Sequence, residues 1–144
     1  MSTMYKDIGI ECFNKCWELI DKNDRNPIDN ENMRRLAEVS LWGWENSEEA
    51  TDENYSVSYW QLSRVYTISG REDMGDSYAD KCLDISKDLA PFFQGYAYEA
   101  KARAQKALGN QGACAKFLAL AQGKASLVEE LDNKEVLEVD LKTL

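Results

Sequence analysis

Shifted against itself by 39 residues, the sequence superposes Tyr59 on Tyr98, Arg64 on Arg103 and Gly70 on Gly109, and small Cys82 on small Ala121. Each coincidence lies at the same point of a predicted helix-turn-helix unit. A unit of this length has an apolar face it cannot bury alone, so neighbouring units stack. This favours a stacked repeat over the alternative, a generic helical bundle.

Apolar spacing supplies the helices. Ile8, Cys12, Cys16 and Leu19 recur at helical intervals, and Phe13, Trp17 and Ile20 widen the stripe, which predicts a first helix over 4–22. A second, over 30–46, turns Met33, Leu36, Ala37, Ser40, Leu41 and Trp44 inward and leaves Trp42 off the stripe. Thr51 is placed to cap a third, over 52–69, with Asp52 and Glu53 in its first turn. Gly70 ends that helix and Gly109 ends the fifth, which starts at Pro91; a fourth covers 72–89. A sixth follows over 111–129. Asp132 with Glu135 fits a capping pattern for a last helix over 133–143. No segment alternates as a strand does. The expectation is one all-α domain of antiparallel helix hairpins in a right-handed α-α superhelix. It comprises a divergent hairpin over 4–46, repeat units over 52–89 and 91–129, and a capping helix.

The 144 residues suffice for one domain with a real core. No apolar run approaches the ~18 residues of a membrane span. The N-terminus has no basic stretch followed by an apolar one, so a cytoplasmic location is expected. A net charge of −9 disfavours nucleic acid as a partner. The chain has no histidine, which excludes Ser-His-Asp and Cys-His catalysis and imidazole metal ligands. Cys12 and Cys16 stand one helical turn apart with no further ligand, too few for a zinc site. The 21–29 loop puts Arg25 at a ligand position of a calcium loop, which rules that reading out. There is no Gly-rich phosphate loop. Neither a cofactor nor a catalytic motif is expected.

The segment 57–86 resembles the tetratricopeptide pattern without a gap. Tyr59, Leu62, Ser63, Tyr66 and Gly70 take its aromatic, leucine, small, tyrosine and turn-glycine positions, and Lys81-Cys82-Leu83-Asp84-Ile85 its closing run. The unit 96–125 keeps Tyr98, Ala102 and Gly109 but has Lys101 at the leucine position. Across most of its length the chain also resembles a group of small bacterial tetratricopeptide-like proteins of unassigned function. Phe13–Lys22, Tyr59–Tyr66, Tyr96–Ala104 and Val136–Leu141 carry that likeness. It implies a shared fold more than a shared activity. Members of the group are expected to hold histidines in the second helix, and this chain has none there.

In such an array the third and fifth helices line a concave groove. Alignment puts Trp60, Arg64 and Thr67 on that face, followed by Tyr96, Glu99, Arg103 and Lys106. Three cations on one face of an acidic protein would form a positive spot. Aromatics beside arginines suit an acidic or C-terminal peptide segment. The plainer reading is that Trp60 and Tyr96 pack and the arginines pair with local acids. The leading expectation is a non-catalytic module that binds a protein or peptide along the groove or forms a homodimer, with Trp42 as an association surface. The alternative is a small-molecule sensor or enzyme with a pocket between hairpins, lined by Trp17, Trp44 and Trp60.

Overall fold

A computed structural model describes residues 2–144. Seven helices run through them: α1 (Ser2–Ile20), α2 (Pro27–Glu45), α3 (Asp52–Ile68), α4 (Glu72–Ser86), α5 (Pro91–Ala107), α6 (Gln111–Ala125) and α7 (Leu131–Leu141). Among the described residues there is no strand. Every expected helix is present, and the differences lie at the ends.

α2 starts earlier than the apolar pattern suggests because Asn26 and Asp29 close a reciprocal cap. The Asn26 carboxamide accepts from the Asp29 N–H at 2.8 Å, and the Asp29 carboxylate accepts from the Asn26 N–H at 3.1 Å. Pro27 takes the first helical position, where its missing N–H costs nothing. Thr51 caps α3 as expected, accepting from the Asn54 N–H. Gly70 and Gly109 end α3 and α5 at φ 85° and 86°, the left-handed conformation glycine adopts freely. Asp132 does not cap α7. The helix begins one residue before it, behind Glu130, and Asp132 lies in the first turn, still well placed against the helix dipole.

Connections of three to six residues join each helix to the next, and each packs on its neighbour in the chain. The odd-numbered helices also touch one another in sequence, α1 to α3 to α5 to α7, whereas α2, α4 and α6 do not meet. The result is a helical-repeat fold with an inner layer of odd helices and an outer layer of even ones. Three apolar clusters form its core. One joins Cys16, Met33, Ala37, Leu41, Leu62 and Val65; the next joins Trp60, Ala79, Cys82, Ala97 and Ala100; the third joins Ala121, Ala125, Val128, Leu137 and Leu141.

Small residues set how closely the layers approach. A Cβ on Gly43 would stand 2.7 Å from both the Gly9 nitrogen and the Tyr5 carbonyl oxygen, so α1 and α2 cross almost backbone to backbone. The Ser40 hydroxyl donates to the Gly9 carbonyl at 2.6 Å across the same crossing. At the α3–α4 crossing the Ser63 hydroxyl donates to the Gly75 carbonyl at 2.8 Å. Lys101, at the expected leucine position of the second unit, reaches outward between layers. Its ammonium bonds Asp76 and Asp80 of α4 at 2.9 and 2.8 Å, so an ion pair replaces the apolar contact there.

Candidate functional site

Trp60, Arg64 and Arg103, which the repeat alignment places on the inner layer, meet around one carboxylate. Glu99 of α5 is fully buried. One of its oxygens accepts the Trp60 indole N–H at 2.7 Å. The other accepts Arg64 at 3.1 Å and Arg103 at 2.7 Å. Trp60 and Glu99 stand 39 residues apart, as do Arg64 and Arg103. The repeat thus brings equivalent positions of successive units face to face, and a buried acid replaces the second tryptophan.

The constellation extends to the flanking helices. Trp17 of α1 lies over Trp60, ring centroids 5.5 Å apart and planes tilted by 31°. Gln61 donates to the Phe13 carbonyl of α1 at 3.1 Å. Tyr96 sets its ring edge-on to Trp60 at 5.3 Å and donates its hydroxyl to Asp140 of α7 at 2.6 Å. Burial, then that hydrogen bond, raises the Tyr96 pKa above the usual phenol value, so Tyr96 is a neutral donor at physiological pH. Arg103 also donates to Thr143 at 2.7 Å. Polar and aromatic contacts therefore link all four inner helices.

The arrangement alters the electrostatics expected from the sequence. Arg64 and Arg103 converge on Glu99, and the Asp140 main-chain carbonyl accepts from Arg103 at 3.4 Å, so part of their charge is met inside the protein. Lys106 is exposed and makes no ion pair among the described residues, so it alone of the three cations is free. Thr67 is not on the inner face. It is buried against α4, where a Cβ on Gly75 would overlap its hydroxyl, and that hydroxyl has no partner. Glu99 lies beneath the face rather than on it.

Two clefts open along α1 and α3, the first reaching α5 and the second α2. The first, about 190 Å³, lies among Trp17, Val57, Trp60, Phe92, Phe93 and Tyr96, and its walls are almost wholly apolar. The second, about 130 Å³, is lined by Ile10, Phe13 and Trp44 together with Asn14, Asn54 and Ser58; Val57 borders both. Trp17 and Trp60 thus share a cleft, whereas Trp44 belongs to the neighbouring one. A broader depression of about 420 Å³ between α1 and α2 is edged by Lys15, Glu18 and Arg35. Phe92 and Phe93 were not singled out from the sequence. Their signal was an aromatic pair directly after the Pro91 that opens an inner helix.

The chemistry available here is limited. Glu99 already accepts three hydrogen bonds and offers no oxygen to a substrate. Burial pushes the Cys16 and Cys82 thiols up to about 12, too high for a nucleophile at neutral pH. Among the described residues no group of three or more His, Cys, Asp or Glu side chains is placed to hold a metal ion. Among the described residues no helix is long and apolar enough to cross a membrane. Comparison with protein-family models, with curated proteins and with solved structures finds no match.

Proposed function

We propose that this chain is a tetratricopeptide-like interaction module, acting in the cytoplasm without catalysis, that holds a segment of another protein along the inner helix layer. The observation that carries the reading is the first cleft. Three inner helices build it, and its aromatic walls are braced from behind by the Glu99 constellation. Its size favours a side-chain anchor over a small molecule. Small-molecule sites commonly enclose ~300–1,000 Å³. A cleft of about 190 Å³ instead matches one large side chain, as a cavity of ~150 Å³ matches benzene. Apolar anchors in such clefts contribute most of the affinity of peptide recognition. Because Glu99 holds both arginines in place beneath the face, recognition rests on the anchor more than on an acidic partner.

The test is a pull-down from native lysate with the wild-type chain and with Val57→Asp, each first shown to be folded by circular dichroism. A partner recovered by the wild type and lost from the variant is expected. A partner retained equally by both would overturn the assignment to the cleft. Self-association is the second reading, favoured by Leu131, Val136 and Val139, exposed on α7 to 74%, 55% and 57%. Recovery of this chain alone would select it.

A further inference from the structure

The second cleft differs in chemistry from the first and adds to it. Ser58 on its wall is buried, 3% exposed, and its hydroxyl has no hydrogen-bond partner within the protein. Buried polar groups nearly always have one. Asn14 and Asn54 bring carboxamides to the same cleft, and no ionisable side chain lines it. The site is thus neutral, hydrogen-bonding in part, and shares Val57 with the apolar cleft.

The geometry points to a bipartite ligand: an uncharged peptide segment whose large apolar side chain fills the first cleft while an adjacent amide or hydroxyl group enters the second and bonds Ser58, whose hydroxyl, sealed from solvent in the rotamer present, turns about χ1 to meet it. This rests on the groove reading above and specifies its ligand. The volumes agree with it, since about 130 Å³ suits a smaller group than the first cleft takes. The lining also selects against charge. A carboxylate or ammonium placed against these walls would lose hydration and find no counter-charge. A neutral amide finds both donors and acceptors in Asn14 and Ser58 and a further donor in the Asn54 NH₂, whose carboxamide oxygen already accepts from Thr51 at 2.9 and 3.0 Å.

Two probes separate the parts. Toluene carries only the anchor; N-acetyl-phenylalanine amide carries the anchor and two amides. Each is titrated into the full chain and followed by nuclear magnetic resonance at the Trp17 and Trp60 indole N–H groups and the Ser58 and Asn54 backbone amides. Toluene is expected to shift the tryptophans alone, and the amide probe to shift both sets. Ser58→Ala removes an unpaired buried hydroxyl, so it folds at least as well as the wild type. It should bind toluene unchanged and the amide probe about five-fold more weakly, the equivalent of one hydrogen bond. Asn14→Ala, at an exposed position, should weaken the amide probe in the same selective way. Equal binding of the amide probe by wild type and Ser58→Ala, as when water alone serves that hydroxyl, would overturn the bipartite ligand while leaving the groove reading intact. Failure of both probes to shift either tryptophan would remove the groove reading as well.

Discussion

Replacing Glu99 by glutamine tests the centre of the inner layer. The carboxylate is fully buried and accepts three hydrogen bonds, two from arginines whose side chains are only 14% and 18% exposed. Glutamine keeps the volume but removes the charge, and it turns an NH₂ toward donors that need an acceptor. Breaking a buried ion pair from one side costs about 3–5 kcal/mol, because the partner charges stay desolvated and unpaired. At these exposures solvent screening discounts that figure little. At roughly 0.05–0.15 kcal/mol per residue, a chain of this length has a total stability of about 7–22 kcal/mol. The substitution therefore removes a large share of it. At about 2–4 °C per kcal/mol, Tm should fall by about 6–20 °C. Differential scanning calorimetry on wild type, Glu99→Gln, Arg64→Met and the double variant measures both the loss and the coupling. The double variant should lose less than the sum of the singles by about 1 kcal/mol or more. A Tm for Glu99→Gln within about 2 °C of wild type, or strict additivity, would refute the argument that Glu99 holds the inner helices through charge.

Four further outcomes follow from the packing and from the ionisable groups. Gly43→Ala should destabilise by about 1–3 kcal/mol in urea unfolding, since its Cβ meets backbone atoms of α1 that cannot move separately. Gly123→Ala, with open space around the added methyl in α6, should instead stabilise by about 0.5–1 kcal/mol, and a loss there would contradict the packing described. Burial raises Cys16 and Cys82 from the ordinary thiol value of 9.0 to about 12, and raises Tyr78 and Tyr96 above the phenol value. The folded chain then holds protons that the unfolded chain releases, so this stability is complete below about pH 9 and is lost as pH rises toward 12. Tm should be level from pH 7 to 8.5 and decline from pH 9 to 11, and a flat profile to pH 11 would count against burial as the cause. At pH 8 a thiol-disulfide reagent should leave Cys16 and Cys82 unmodified until the chain is unfolded.

What the sequence discloses about this molecule is set by the range of the forces involved. The helices were legible because caps, glycine stops and apolar spacing act within a few residues. Thr51, Gly70 and Pro91 do in the structure what their types imply. Where local signals compete, the helix starts lie two or three residues from where the sequence pattern puts them. Asn26 and Asp29 resemble part of a polar loop until their reciprocal bonds are seen, and Asp132 has the composition of a cap without being one. The burial of α4 was harder to read. Its stripe of Gly75, Ala79, Cys82 and Ser86 is small and partly polar, so it carries little hydrophobic signal beside Met74 and Tyr78. The inner layer shows the same limit at greater distance. The 39-residue shift placed Arg64 and Arg103 in register, which is a statement about position. It could not show that Glu99, one unit along from Trp60, would turn inward and draw both arginines with it. Burial of an acid depends on donors from another helix arriving together, and no local propensity encodes that. The same reasoning orders the two clefts. The apolar one follows from aromatic residues on inner helices and was half visible as Trp17 and Trp60. The polar one gathers residues of α1, α2 and α3 around the unpartnered Ser58 hydroxyl, a property of the assembled helices alone.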